Sequence, residues 1–279
     1  MKKLFIVFLA VISFTFFGCN SVNYNDNSNL PPIQTEPIPP VQTLPTPPIQ
    51  TPTLPDVEQE FIEPDEEENK KKLYAVANVN GLRVRSKPNT SSAALGTLDK
   101  NDAVLYYDKI NGFYKTIYKE QTAYVWAEYC STFEIEYEDE RIEKAIDFGS
   151  TLLGYPYVWG SQRYHWGNGK LNTNFINGEF DCSALVQYVY YKTNGIILDL
   201  TSRAQSLNGV QVNRSDLKRG DLMFFTNASR KDKVGIERIG HVGIYFGNNY
   251  ILHTASDHAV IEPISSTRWS YYVTARRVV

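Results

Sequence analysis

Asp181-Cys182-Ser183-Ala184-Leu185-Val186-Gln187-Tyr188-Val189-Tyr190 is the stretch that decides how the second half of this 279-residue chain folds. Asp181 is a natural N-cap, residues 185, 186, 189 and 190 are apolar at helical spacing, and Gly195 stands where such a helix would stop. The spacing predicts a helix that Cys182 opens. At a helix start, free amides and the partial positive charge favour thiolate over thiol, the form in which cysteine is nucleophilic. By itself the position is weak evidence, since a lone cysteine there is more often a small core residue.

Partners for Cys182 lie downstream. Gly220-Asp221-Leu222-Met223-Phe224-Phe225 reads as a turn and a buried strand, and His241 to Phe246 with Tyr250 to Ala255 reads as a hairpin across Gly247-Asn248-Asn249. A three-residue loop pairs Gly243 with His253 and sets His253 diagonal to His241. A two-residue loop at Asn248-Asn249 pairs Ile244 with His253 and turns the two rings to opposite faces, because side chains alternate with period two. Catalysis needs the first register, in which Gly243 would also leave room for substrate. Of the other histidines, His165 lies in a polar and aromatic insertion from Gln162 to Glu179, without a strand setting, and His258 reads as a loop residue. Upstream, Ile142, Ala145, Ile146, Gly149 and Leu153 share one helical face, and Gly154-Tyr155-Pro156 ends that helix.

The rest of the chain is organised differently. Lys2 and Lys3 precede an apolar run from Leu4 to Phe17, the length of a signal-peptide core and short for a membrane span, so the chain is read as exported. Pro31 through Pro64 hold 11 of the 14 prolines, and Asp56 to Glu68 contribute eight carboxylates, marking a solvated, disordered stalk. In extended polyproline form its roughly 53 residues reach about 160 Å at ~3.1 Å each. Beyond it, short strands at Leu73–Val79, Leu82–Arg85, Ala103–Asp108, Phe113–Ile117 and Ala123–Trp126, separated by Asn80-Gly81, Lys87-Pro88-Asn89 and Asn111-Gly112, read as a small β-barrel. The formal net charge of −3 gives no reason to expect nucleic-acid binding, and three cysteines, Cys19, Cys130 and Cys182, form neither a disulfide scaffold nor a zinc pattern. Cys130 is read as a buried unpaired thiol.

Three resemblances follow from these residues. Gly18-Cys19 at the end of the apolar run resembles a bacterial lipoprotein processing site, although Phe16 and Phe17 depart from the usual pattern. That implies a lipid on Cys19 and a membrane anchor; a plain secretory cleavage is the alternative. Gly81 to Ser86, Leu95 to Leu98 and Ala123 to Ala127 resemble a bacterial SH3 domain, which implies attachment to cell wall, shaping of a neighbouring groove, or a spacer. From Ile142 to Val279 the chain resembles the NlpC/P60 family of cysteine peptidases. The residues carrying this are Tyr157-Val158-Trp159-Gly160, Phe180-Asp181-Cys182-Ser183, Leu217 to Phe225, Gly240-His241-Val242-Gly243-Ile244-Tyr245, Ile251-Leu252-His253 and the terminal Tyr272 to Val278 strand.

The family resemblance implies a papain-like core with Cys182 as nucleophile, His241 as general base and His253 as the residue orienting it. Tyr157 would lie beside the nucleophile and assist the oxyanion site, and Asp181 and Ser183 would contact the peptide stem. Ser161, Ala184 and the 162–179 insertion depart from the family pattern without removing a catalytic atom. Arg203 lies where the family often has a substrate-side segment; a helix-surface role is the equal alternative. The expected architecture is α+β: signal peptide 1–18, lipidated Cys19 and disordered stalk 19–72, SH3-like β-barrel 73–135, and NlpC/P60 domain 136–279. The expected function is hydrolysis of peptidoglycan stem peptides at the γ-D-glutamyl to diamino-acid bond by a monomer at the cell envelope, with no metal or organic cofactor. The alternatives are an inactive wall-binding protein, or an amidase or acyltransferase on the same fold.

Overall fold

The computed structural model describes residues 71–279 apart from Ser256. The signal segment, Cys19 and the stalk to residue 70 lie outside the described residues. Strands β1 (Lys71–Ala77), β2 (Leu82–Arg85), β3 (Ala94–Leu98), β4 (Ala103–Ile110), β5 (Phe113–Tyr118), β6 (Gln121–Trp126) and β7 (Cys130–Glu136) form one antiparallel sheet in the order β3-β2-β6-β5-β4-β1-β7. Lys71 and Lys72, read above with the stalk, are the first residues of β1, where they pair with Glu136 and Ile135 of β7. Only Cys130, Phe133 and Ile135 of this edge strand pack against the core, which is why β7 carries little apolar signal.

Next come α1 (Glu140–Thr151), α2 (Cys182–Asn194), α3 (Ser202–Gln205), β8 (Val210–Val212), β9 (Leu222–Phe225), β10 (His241–Gly247), β11 (Tyr250–Ala255), β12 (His258–Pro263), α4 (Ser266–Ser270) and β13 (Tyr272–Arg277). The six strands form a second sheet, β12-β11-β10-β9-β13-β8, antiparallel throughout. The fold is α+β. Helix α2 is buried at every residue from Cys182 to Tyr190. Its N-cap Asp181 accepts the Ala184 amide at 2.9 Å, and Gly195 closes it in the left-handed conformation at φ 65°. Gln187, polar on this buried surface, is satisfied by donating to the Leu198 carbonyl at 3.1 Å. His258, expected in a loop, opens β12 instead, where it pairs with Ala255.

The β10–β11 hairpin combines both expected registers. Asn248 and Asn249 alone form the turn, both with positive φ (49° and 61°), as a two-residue type I′ loop requires. A bulge between Tyr245 and Gly247 then inserts one residue, so the pairing resumes at Tyr245↔Ile251 and Ile244↔Leu252. Carried one step on, that register sets Gly243 opposite His253, as in the three-residue reading. The space at Gly243 is not left for substrate, however: a Cβ there would fall 2.6 Å from Ile251 Cδ1 and 2.9 Å from His253 Cβ. Gly243 lets its partner strand close in.

The first sheet is fastened to the second half by buried groups. Lys119 and Glu120, at the β5–β6 turn, donate their amides to the carbonyls of Leu153 and Thr151 at 3.0 and 2.8 Å, satisfying groups that the end of α1 leaves open. The Tyr118 ring lies where a Cβ on Gly154 would be. Arg219, with a side chain 1% exposed, pairs with Glu143 (2% exposed) at 2.8 and 3.0 Å and donates to the Tyr74 hydroxyl of β1 at 2.7 Å. Removing one partner of a buried ion pair strands the other charge. Arg219→Ala is therefore expected to lower stability by about 3–5 kcal/mol, seen as a lower urea midpoint for the whole transition.

Candidate active site

Cys182 sits at the first turn of α2, 8% exposed, where the backbone amide of Val242 at the start of β10 acts on its sulfur and favours the thiolate. His241, the residue before, presents Nε2 to Nδ1 of His253 on β11 at 2.8 Å, the two rings meeting edge to face. His253 is fully buried, and its Nε2 lies 3.0 Å from Oε1 of Glu262 on β12, which also accepts from Arg268 of α4 at 2.9 Å. Glu262 was absent from the sequence reading. Its place follows from register: Ile251 pairs with Glu262 and His253 with Val260, so Glu262 is diagonal to His253 on the same face.

Tyr157 reaches the site from the loop after α1. Pro156 bridges to His258, and the Tyr157 amide donates to the Asp257 carbonyl at 2.7 Å, which ties this loop to the start of β12. Two clefts meet at Tyr157, Asn227 and Gly240. One, of about 500 Å³, holds His241 and Arg268; the other, of about 420 Å³, holds Cys182 with Arg163, Arg203 and Arg230. Arg203 therefore faces the cleft. Trp159, 85% exposed, stands at its lip.

Asp181 and Ser183 line the cysteine side, but their polar atoms are already engaged. Asp181 caps α2, accepts the Ser183 hydroxyl at 3.0 Å and pairs with Arg163 at 2.9 Å, and Arg163 also donates to Ser183 at 3.0 Å. Arg163 comes from the insertion, whose Tyr164 and Phe175 pack on Tyr188 of α2. His165 is buried against Tyr191, with Nδ1 accepting the Gly167 amide, and takes no part in the Cys182 cluster. Among the described residues, no three His, Cys, Asp or Glu side chains gather as a metal site would need.

Residues 154–278 match the model of the NlpC/P60 family, and residues 80–131 match that of the bacterial SH3 domain. The chain carries an NlpC/P60 domain. Among curated relatives, a peptidoglycan DL-endopeptidase, CwlO of Bacillus licheniformis, is 32% identical over 54% of this chain and 31% of its own. A γ-D-glutamyl-L-lysine dipeptidyl-peptidase of Bacillus cereus is 33% identical over 47% of this chain and 35% of its own. The chain thus spans about a third of the length of these relatives. The solved structure of an NlpC/P60 family protein from Bacillus cereus is 22% identical, with a TM-score of 0.41, over 74% of this chain and 63% of that one.

Electrostatics in the NlpC/P60 domain set the resting protonation. Burial, then the charge of Asp181, pushes the Cys182 thiol up to about 11, against the pull of the Val242 and Ser183 amides and Arg163. The helix start does not prevail over burial, contrary to the expectation for an exposed helix end. Burial, with His253 and Arg268 nearby, also holds His241 well below the ordinary histidine range. At neutral pH the pair is therefore thiol and neutral imidazole. Alkylation of Cys182 by iodoacetamide, followed by mass spectrometry of its peptide, is expected to accelerate continuously from about pH 7 to about pH 10. A plateau already reached at neutral pH would reveal a preformed thiolate.

Proposed function

We propose that this chain is a cell-wall hydrolase that cuts peptidoglycan stem peptides at the γ-D-glutamyl to diamino-acid bond, with Cys182 as nucleophile, His241 as general base and His253 as its orienting partner. The observation that carries the reading is the 2.8 Å bond between His241 and His253 beside a helix-opening cysteine in an open groove. Curated relatives named as a peptidoglycan DL-endopeptidase and a γ-D-glutamyl-L-lysine dipeptidyl-peptidase support the substrate class. Arg163, Arg203 and Arg230 on the cysteine side suit a stem rich in carboxylates, with Asp181 and Ser183 holding Arg163 toward it.

As the sulfur attacks the carbonyl carbon, His241 takes the thiol proton, so the reaction needs no standing thiolate. In this reading the tetrahedral oxyanion forms at the start of α2, with the Cys182 amide as one donor and Tyr157, which shares the cleft, beside it. His241 then returns the proton to the departing amine, leaving a thioester. Water, deprotonated by His241, attacks the thioester carbon and releases the D-glutamyl γ-carboxyl with the thiol restored. In this reading a lipid on Cys19 tethers the enzyme to a membrane, and the stalk carries it to the wall.

Purified muropeptides incubated with the protein are expected to yield products cut after D-glutamate, read by mass spectrometry. Cys182→Ala should reduce the rate at least about a thousandfold. Products cut at the sugar–peptide junction would replace this reading with an amidase. Wall binding by folded protein, with no cleavage of any bond, would replace it with a binding protein.

A further inference from the structure

We propose that Glu262 is a positioning residue that sets the tautomers of both histidines in series. The proposal rests on the roles of Cys182 and His241 given above. Glu262 lies at the end of a line of hydrogen bonds that runs through His253 to His241, with distances of 3.0 and 2.8 Å. Burial pushes its carboxyl up, but the bonds to His253 and Arg268 outweigh this and hold it below the ordinary carboxylate range. An ionised carboxylate only accepts. The His253 nitrogen facing it, Nε2, must therefore carry the proton.

His253 is buried and His241 half-buried, and both are held below the ordinary histidine range, so at neutral pH each ring has one N–H and one lone pair. With its proton on Nε2, His253 offers a lone pair at Nδ1, and the 2.8 Å contact requires His241 to donate from Nε2. The lone pair of His241 is then on Nδ1, the one ring nitrogen left to receive the thiol proton. One carboxylate, two residues removed from the sulfur, decides where the base is basic. Arg268 makes the alternative concrete. It shares Oε1 of Glu262 with His253. Without the carboxylate, its guanidinium would donate to His253 Nε2, reversing both tautomers and placing a proton on His241 Nδ1. His253 is thus held in the competent form against a neighbouring donor.

Other charged groups near this line are few. Glu262 acts across the domain contact on Asp102, from the turn before β4, and Asp181 and Arg163 act on Cys182 from the start of α2 and the insertion. The side chain of Glu262 is 31% exposed, so its replacement does not empty the core.

The test is ¹⁵N nuclear magnetic resonance of histidine-labelled protein, which has only four histidines, at neutral pH. Wild type is expected to show His241 and His253 both protonated at Nε2 and bare at Nδ1. Glu262→Leu should move both toward Nδ1–H and lower kcat on muropeptides about tenfold or more with KM little changed, the size of one lost hydrogen-bond preference. Glu262→Gln keeps an accepting oxygen, and should retain the wild-type tautomers and most of kcat. A wild-type spectrum with the proton on His253 Nδ1 overturns the proposal outright, whatever the variants do. So does a folded Glu262→Leu protein with unchanged tautomers. Because the spectrum needs no substrate, failure to cleave muropeptides would count against the proposed function and leave this inference standing.

Discussion

The register of one strand pair governs the whole site. Side chains alternate along a strand, so a slip of a single residue between β10 and β11 would put His253 on the far side of the sheet from His241. The turn itself, Asn248-Asn249, would produce that slip; the bulge at Tyr245–Gly247 undoes it. Once the two rings share a face, the next strand can add to them. β12 pairs with β11 and delivers Glu262 to the same side, and its first residues hold the loop that carries Tyr157. The fourth element, the start of α2, meets this face where the Val242 amide reaches the Cys182 sulfur.

Burial rather than charge sets the character of the site at rest. Cys182 and His253 are withdrawn from water and His241 is half-buried, and the groups near them include Asp181, which opposes a thiolate, and Arg268, which opposes an imidazolium. The Val242 and Ser183 amides and Arg163 favour the thiolate, but burial outweighs them. Three arginines line the cysteine side of the groove, Arg163 paired with Asp181 and Arg203 and Arg230 sharing Glu237. The arginines of the groove and the histidines beside the thiol are thus different sets of residues, and each can vary without the other.

Helix α2 was legible because its signals are local: a capping Asp181, an apolar run and a left-handed Gly195. The hairpin was legible as a hairpin, but its register was not, since a bulge is a tertiary adjustment that neither Gly247 nor the asparagines announce. Gly243 read as room for substrate, and only packing shows that Ile251 and His253 take that space. Glu262 was invisible for another reason. Beside Pro263, near a chain reversal, it has the sequence context of a surface residue, and its partner lies on a neighbouring strand. Arg163 was read with the insertion at the groove, but its partners were not, because it reaches Asp181 and Ser183 from an irregular loop with no periodicity to read.

The SH3 domain also completes its neighbour. The end of α1 is capped by the β5–β6 turn, Arg219 is held between Glu143 and Tyr74, and Phe246 packs edge-on against Tyr74. Phe246 belongs to the same bulged hairpin that aligns the histidines. A truncation that begins between β7 and α1 would therefore expose a charged pair, an aromatic ring and an uncapped helix at once. The natural place to divide this chain is before Lys71, and any chimera that exchanges its SH3 domain must also supply a replacement for Tyr74.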